Sequence, residues 1–152
     1  MSGENEKILA KQRLTEFLET KKMRKTPERF KILDVIYSQS GFFDAESLKK
    51  NLDLDYPVSL ATIYNALELF LQCNLIIRHT FGLRVKYEKT PVGSSHYYQI
   101  CMQCGNYKSF TDLKLKKSIS LRTFSAFNIT NHSLYFYGIC KKCGQKNKKQ
   151  NR

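Results

Sequence analysis

The spacing of four cysteines constrains this chain more than any other feature of its sequence. Cys101 and Cys104 form one pair, Cys140 and Cys143 form another, and a glycine directly follows each pair. Two intervening residues allow both sulfurs of a pair to reach one ion about 2.3 Å away, and glycine permits the tight turn beneath them. The pattern predicts a structural zinc site with four thiolate ligands. A pair of disulfides is the alternative, and a single pair would also match a redox motif.

The length of the chain and the absence of targeting signals favour metal over disulfides. The 152 residues suffice for one ordinary domain or two small ones, each short of core, and a metal ion would stabilise the second. We find no apolar run long enough to span a bilayer and no signal peptide. The expected location is therefore the cytoplasm, with no membrane partner. In that reducing compartment, paired cysteines usually bind metal.

The net charge of +13 indicates an acidic polymer as partner, and the charge is unevenly distributed. Residues 1–90 hold 15 Lys and Arg against 12 Asp and Glu, whereas residues 91–152 hold 11 against 1. Sites for hard cations need carboxylates. Beyond residue 90, Asp112 is the single acidic side chain in the sequence.

Residues 1–90 carry the pattern of a winged helix-turn-helix domain. Apolar residues recur at helical spacing from about residue 7 to 21, which predicts a first helix. Thr26 before Pro27, then Asp44, then Ser59 are N-cap residues, and each predicts a helix beginning after it. Two β-rich stretches at 75–79 and 84–88 flank a turn. Helices followed by such a hairpin predict a DNA-binding domain.

The helix that begins after Ser59 suits recognition of DNA bases. Thr62 and Asn65 lie opposite its apolar stripe, and Tyr64 lies at the edge, so we expect these three to meet base edges in the major groove. An ordinary amphipathic helix is the alternative. Phosphate contacts are expected from basic residues around the start of the second helix and in the hairpin, with His79 contacting phosphate or solvent. These basic residues are Arg24, Lys25, Arg29, Arg78, Arg84 and Lys86.

The sequence of residues 91–145 predicts a second domain, which the zinc site holds together. A short linker at 90–95 precedes two β-rich stretches at 96–101 and 106–110, so that the first cysteine pair forms the turn of a hairpin. A helix is expected from Thr111 and Asp112 to about Phe127, ended by Asn128 in a left-handed conformation. A last strand, 129–139, leads to the second cysteine pair. Residues 146–152 are basic and polar and are expected to be disordered.

Four segments give the chain a family resemblance. The chain resembles the ferric uptake regulator (Fur) family of bacterial metal-responsive repressors from about residue 12 to 144. The segments are residues 26–33 (TPERFKIL), 59–67 (SLATIYNAL), 101–105 (CMQCG) and 131–140 (NHSLYFYGIC). The resemblance implies an α+β homodimer, with an N-terminal winged helix-turn-helix and a small α/β dimerisation domain. It also implies structural zinc on the four cysteines.

The chain departs from this family at both places where its members hold a sensory metal. The first family site uses a histidine before the third helix, a glutamate ending the wing and a His-x-His pair. The second uses a His/Asp pair, a helix glutamate and the histidine of the Asn-His-Ser segment. The corresponding residues here are Phe42, Glu88, His96 and Tyr98 for the first site, and Ser95, Tyr97, Lys116 and His132 for the second.

Glu88, His96 and His132 are the candidate ligands that remain. Two histidines and a carboxylate can bind a divalent ion as an open facial triad if the fold brings them together. Otherwise the two histidines are hydrogen-bonded core or interface residues. The effector is therefore left open among Fe²⁺, Mn²⁺, haem, peroxide and zinc alone.

The sequence predicts a cytoplasmic, dimeric, non-enzymatic regulator that binds double-stranded operator DNA, as a repressor in iron homeostasis. A thiol oxidoreductase is one alternative, but it would need an exposed thiol of low pKa near a helix N-terminus. A zinc-ribbon adaptor for RNA or polymerase is another. The helix-turn-helix half argues against that adaptor.

Overall fold

The computed structural model describes residues 3–81, 83–90, 96–129 and 131–150, without the side chains of residues 53, 96 and 147–150. The chain forms two compact units, residues 1–92 and 93–152. The predicted linker falls mostly on residues 91–95, which lie outside the described residues.

The first unit consists of four helices and a β-hairpin. Its elements are α1 (Gly3–Thr20), α2 (Pro27–Ser38), α3 (Ala45–Asp53), α4 (Leu60–Gln72), β1 (Ile76–Phe81) and β2 (Arg84–Lys89). Asp44 starts α3 with a capping box, since its carboxylate accepts the Ser47 N–H at 2.8 Å. Ser59 starts α4 by accepting the Thr62 N–H at 3.1 Å. Thr26 occupies the N-cap of α2 without a side-chain cap bond, so Pro27 marks that start.

One hydrophobic core holds the first unit together. Each helix turns one apolar stripe inward, as its 3.6-residue period requires. The hairpin is tied to this core at two points. Tyr37 donates its hydroxyl to the Leu75 carbonyl at 2.8 Å, and Phe43 exchanges two backbone hydrogen bonds with Tyr87. Fully buried side chains of the core include Leu14, Leu18, Ile32, Leu33, Ile36, Leu48, Leu52, Ile63, Leu67 and Phe70.

The second unit consists of a three-stranded sheet and two helices. Its elements are β3 (His96–Cys101), β4 (Tyr107–Phe110), α5 (Leu113–Ser120), β5 (Ser133–Gly138) and α6 (Lys141–Gln150). The strand order is β4-β3-β5, with β4 antiparallel and β5 parallel to β3. Because β3 and β5 are parallel, their carboxyl ends lie at the same edge of the sheet. Cys101 pairs with Gly138 in this register, which brings both cysteine pairs to one place.

Two secondary-structure expectations for the second unit are wrong. The helix expected to reach Phe127 ends at Ser120, with Leu121 as its C-cap, and Phe124 and Phe127 instead form a turn. No residue of α5 is buried, so no packing extends it into a segment rich in Ser, Thr and Phe. The left-handed conformation belongs to Ala126 (φ 56°), not to Asn128.

Residues 146–150, which were expected to be disordered, belong to α6, which continues to Gln150. Its first turn begins at the second cysteine pair, where the Gly144 N–H donates to the Cys140 carbonyl at 2.9 Å. Lysine and glutamine, which have good helix propensity, allow a helix nucleated in this way to continue.

Candidate zinc centre and nucleic-acid interface

The two cysteine pairs converge on one point. Their four sulfur atoms all lie within 4.8 Å of one another. They belong to Cys101, Cys104, Cys140 and Cys143. Four sulfurs about 2.3 Å from a central Zn²⁺ form a tetrahedron with edges of about 3.8 Å. The Cys104 and Cys140 sulfurs already lie 3.9 Å apart. All five cysteines are free thiols, so the disulfide alternative is not what the structure contains.

Backbone donors prepare part of this cluster for negative charge. The Cys140 N–H donates to the Cys101 sulfur at 3.3 Å, and with a further backbone contact from Cys104 it lowers the pKa of Cys101 from 9.0 to about 6. Hydrogen bonding with the Cys140 thiol and burial raise the pKa of Cys143 to about 12. All four sulfurs can therefore be thiolates at the same time only if a central cation balances their charge, and a soft four-sulfur donor set is one that Zn²⁺ accepts.

The cluster also fits a structural rather than a catalytic ion. Cys101 and Cys143 are buried, and four thiolates leave no open position for a substrate. Elements far apart in the sequence supply the two pairs, β3 with its turn and the segment after β5. Binding free energy at such a site is folding free energy for the unit that contains it.

The outer face of α4 is available to a partner. Tyr64 is 48% exposed and Asn65 is exposed, while Ile63 and Leu67 beside them are buried in the core. Thr62 is half-buried, and its hydroxyl lies 2.8 Å from that of Ser59 at the N-cap. The Thr62 hydroxyl therefore already has a partner at the start of the helix. Of the three predicted base contacts, Tyr64 and Asn65 are the more accessible to DNA.

The basic residues before and within α2 lie at the surface with local partners. Arg24 and Lys25 are exposed and Arg29 is half-buried. Lys25 pairs with Glu19, and Arg29 donates to the Arg24 carbonyl. Exposed pairs of this kind contribute about 0–1 kcal/mol, so a phosphate can replace the carboxylate at little cost.

The expectation that His79 contacts phosphate or solvent is wrong. The His79 side chain is fully buried, with Nε2 3.1 Å from Oε2 of Glu88 and the Phe42 ring centroid 4.8 Å from its own. Residue 79 pairs with Lys86 in the hairpin, and Ile77 pairs with Glu88, so His79 and Glu88 are diagonal neighbours on one face. In the sequence, Ile77 and His79 are two positions apart in a β-rich stretch, which indicates only that they share one face of the strand.

The remaining candidate sensory residues belong to different units of the chain. Glu88 belongs to the first unit and contacts His79 there. His132 belongs to the second unit, is exposed, and has Nε2 3.3 Å from the buried Tyr97 hydroxyl. The His96 side chain lies outside the described residues. Within the described part of the chain, the four cysteines form the only metal-type cluster, and convergence of the triad stays a prediction.

Two residues that replace family ligands have structural contacts of their own. Phe42 packs against His79 and Phe81, with ring centroids 4.8 and 5.2 Å away. Tyr98 is buried and stacks on Tyr135 at 6.0 Å. Aromatic packing therefore occupies positions where the resemblance places metal-binding histidines.

A winged helix joined to a four-thiolate unit defines a class of DNA-binding transcription regulator. The model of the ferric uptake regulator family matches residues 20–137. The chain belongs to the ferric uptake regulator family, whose members are transcription regulators and not enzymes. The alternatives of an oxidoreductase and of a zinc-ribbon adaptor are thereby removed.

Relatives and solved structures agree with this assignment. The chain is 32% identical over 143 residues to the peroxide operon regulator of Bacillus subtilis. This alignment covers 91% of this chain and 98% of that protein. It is 32% identical over 129 residues to the peroxide-responsive repressor PerR of Staphylococcus aureus. This alignment covers 82% of this chain and 84% of that protein.

Two solved structures have the same fold. The Pseudomonas aeruginosa ferric uptake regulator with manganese has a TM-score of 0.70 at 27% identity, over 84% of this chain and 97% of that one. The Vibrio cholerae ferric uptake regulator has a TM-score of 0.59 at 32% identity, over 81% of this chain and 96% of that one. Across the described residues of this chain, no helix has both the length and the apolar character needed to cross a bilayer.

Proposed function

We propose that this protein is a cytoplasmic, homodimeric repressor that reads operator DNA with α4 and carries one structural zinc ion per chain. The observation that carries the proposal is the placement of α4. Its apolar stripe is fixed in the core, its start is capped by Ser59, and Tyr64 and Asn65 remain exposed on the opposite side. A rigid helix with free polar side chains near its N-terminal end is what major-groove readout requires.

Zinc in this proposal stabilises the second unit and performs no chemistry. The unit is small, and its described helix α5 contributes no buried residue. A sheet of three strands with so little helix packing gains much of its stability from a metal ion that links β3 to the segment after β5. The separation of the cysteine sulfurs, within 4.8 Å, supports this role.

Exposed apolar side chains support a dimer formed through the second unit. Leu113 is 77% exposed, Phe127 is 69% exposed and Phe136 is 52% exposed. Exposed apolar side chains that together form a patch mark an interaction site, and in this proposal these side chains form one. A second copy of the chain supplies a matching surface, as the family resemblance implies. Sedimentation of the zinc-loaded protein at micromolar concentration is expected to give the mass of two chains.

The sensory response is proposed to be weak or altered. The relatives include proteins named for their response to peroxide, and one solved structure contains manganese. In this chain, however, Phe42 and Tyr98 stand at two ligand positions of the first family site, and Lys116 places a positive charge in the second. Glu88, His96 and His132 are the remaining ligands of the proposed sensor, for Fe²⁺ or Mn²⁺.

Selection of operator sequences from a random duplex library tests the DNA-binding proposal. The purified zinc-loaded dimer should enrich a palindromic sequence. Tyr64→Ala and Asn65→Ala should then lose about 1–3 kcal/mol of discrimination between that operator and unrelated DNA. Lys25→Ala should weaken binding to both sequences alike. Gln72→Ala, an exposed change at the far end of α4, is the matched control and should leave discrimination unchanged.

Equal losses on operator and unrelated DNA from the Tyr64 and Asn65 substitutions would exclude α4 as the reading helix. Failure to enrich any sequence would remove the proposed function.

A further inference from the structure

The two units differ in how their positive charges are balanced. In the first unit, Lys11 pairs with Asp34, Lys25 with Glu19, Arg78 with Glu68, Lys86 with Asp44, and Lys89 with Glu6. By formal count, residues 1–90 hold 15 Lys and Arg and 12 Asp and Glu, which gives a net charge of +3. The predicted DNA-binding unit is the less basic half of the protein.

The second unit has little internal counter-charge. Its one acidic side chain, Asp112, accepts the Leu115 N–H at 2.9 Å and is committed to the N-cap of α5. Eight Lys and Arg of this unit have described side chains, and all eight are exposed. They are Lys108, Lys114, Lys116, Lys117, Arg122, Lys141, Lys142 and Lys146.

Helix α6 concentrates this charge. Its ten residues, KKCGQKNKKQ, include five lysines and no acidic residue. Lys142 and Lys146 are four positions apart and so lie on one face, where like charges oppose helix formation. The helix starts at the thiolate cluster through the buried Cys143, so its position relative to the metal centre is fixed. Negative charge supplied by a partner would relieve this repulsion.

The composition of α6 identifies the class of that partner. Apart from Cys143 it has no apolar side chain, whereas a helix that lies in a membrane interface needs an apolar face. All its cations are lysine, which acts as a point charge toward phosphate, whereas arginine is the residue that reads guanine in pairs of hydrogen bonds. This composition favours a phosphate polyanion that is contacted without sequence selection.

We infer that α6 is a second DNA contact, which binds backbone phosphates without reading sequence and adds electrostatic affinity to the readout by α4. This inference rests on the proposed DNA-binding function. It assigns separate tasks to the two units. The first discriminates among sequences, and the second supplies charge that attracts any duplex.

The test is the salt dependence of DNA affinity for the full-length, zinc-loaded dimer. Affinity for operator and for unrelated duplex is measured between 50 and 300 mM KCl for the wild type and for the double variant Lys142→Gln/Lys146→Gln. Each phosphate contact contributes about 0.9 to the slope of log K against log salt. Loss of two contacts should flatten that slope by about 1.8 for each chain whose α6 contacts the DNA. The preference for operator over unrelated duplex should stay unchanged.

Two further variants make the result specific to α6. Lys114→Gln/Lys117→Gln removes the same charge from exposed positions on α5 and should leave the slope close to that of the wild type. Lys142→Arg/Lys146→Arg keeps the charge and should retain the slope. Zinc content is measured for every variant, because Lys142 adjoins Cys143.

An unchanged slope, or equal flattening by the α5 variant, would overturn the inference while leaving operator recognition intact. Binding to phosphatidylserine vesicles that is lost in the α6 variant, with DNA affinity unaltered, would also overturn it. If the wild type bound DNA without any operator preference, the proposed function would fail, yet a slope flattened by the α6 variant would still support the contact. A wild type that bound no duplex would overturn both.

Discussion

The Nε2 atom of His79 lies 3.1 Å from Oε2 of Glu88, across the two strands of the hairpin. The histidine is fully buried and Glu88 is 16% exposed. The carboxylate that family resemblance assigns to a sensory metal therefore already has a partner within its own unit. A divalent ion that recruits Glu88 must compete with that contact or share the carboxylate.

His79→Leu should destabilise the first unit by about 1–3 kcal/mol, because it removes a hydrogen-bond partner from a largely buried carboxylate. Urea unfolding of the zinc-loaded protein measures the change. Adding Glu88→Gln to His79→Leu should recover part of the loss, since the double variant no longer buries the carboxylate charge that His79 contacted. Arg78→Ala removes an exposed pair from the same strand and should cost less than His79→Leu. Equal costs from the two single changes would show that burial of the His79 pair has no special effect.

Cys140→Ser should release zinc and dissociate the dimer together, because the proposed ion links β3 to the segment that follows β5. Metal analysis and sedimentation of the same sample measure both effects. Cys73→Ala is the matched control. Cys73 is a buried thiol with no part in the cluster, and burial raises its pKa to about 11, so this variant should retain zinc. A stable zinc-free dimer from Cys140→Ser would contradict the structural role.

Asp44 should make the stability of the first unit depend on pH in the acid range. The ion pair with Lys86 and the Ser47 N–H lower the pKa of Asp44 below 3.8. Since the folded pKa is depressed, this stabilisation is fully present above the unfolded value and is lost as the pH falls through the folded one.

Unfolding of the wild type and of Asp44→Asn between pH 7 and pH 2 isolates the contribution of Asp44. Asparagine keeps the N-cap but loses the charge, so the wild-type advantage should shrink below about pH 4. Asp44→Ala removes the cap as well and should cost a further ~1 kcal/mol at pH 7. A wild-type advantage that stayed constant down to pH 2 would show that the carboxylate charge contributes nothing.

Divalent metal should act on DNA affinity only weakly. Anaerobic titration of the zinc-loaded dimer with Mn²⁺ should show little effect below micromolar metal, because phenylalanine cannot coordinate and lysine repels the ion. Phe42→His/Tyr98→His restores two histidines to the first family site and should increase the metal sensitivity at least tenfold. Tyr107→His adds a histidine at an exposed strand position and is the control. A submicromolar response in the unaltered protein would show that its ligand set is complete.

Local chemistry made much of the first unit predictable from sequence. Asp44, Ser59 and Pro27 mark the starts of three helices through bonds or steric restraints within a few residues, and all three starts are confirmed. The metal-binding character of the cysteine pairs was equally predictable, because two residues between the thiols allow both sulfurs of a pair to bind one ion. Where a local signal was weak, as between Leu121 and Asn128, the predicted helix was too long, since only packing would have maintained it.

The sequence by itself determined which residues can bind zinc, where the helices begin and which side of α4 is polar, because each depends on neighbours a few positions away. Only the tertiary structure decided that the cysteine pairs meet, since that requires β5 to lie parallel to β3 in one register. It also decided that His79 is buried against Glu88 and Phe42. That contact depends on the register between two strands and on a loop 37 residues earlier, and no local pattern specifies either.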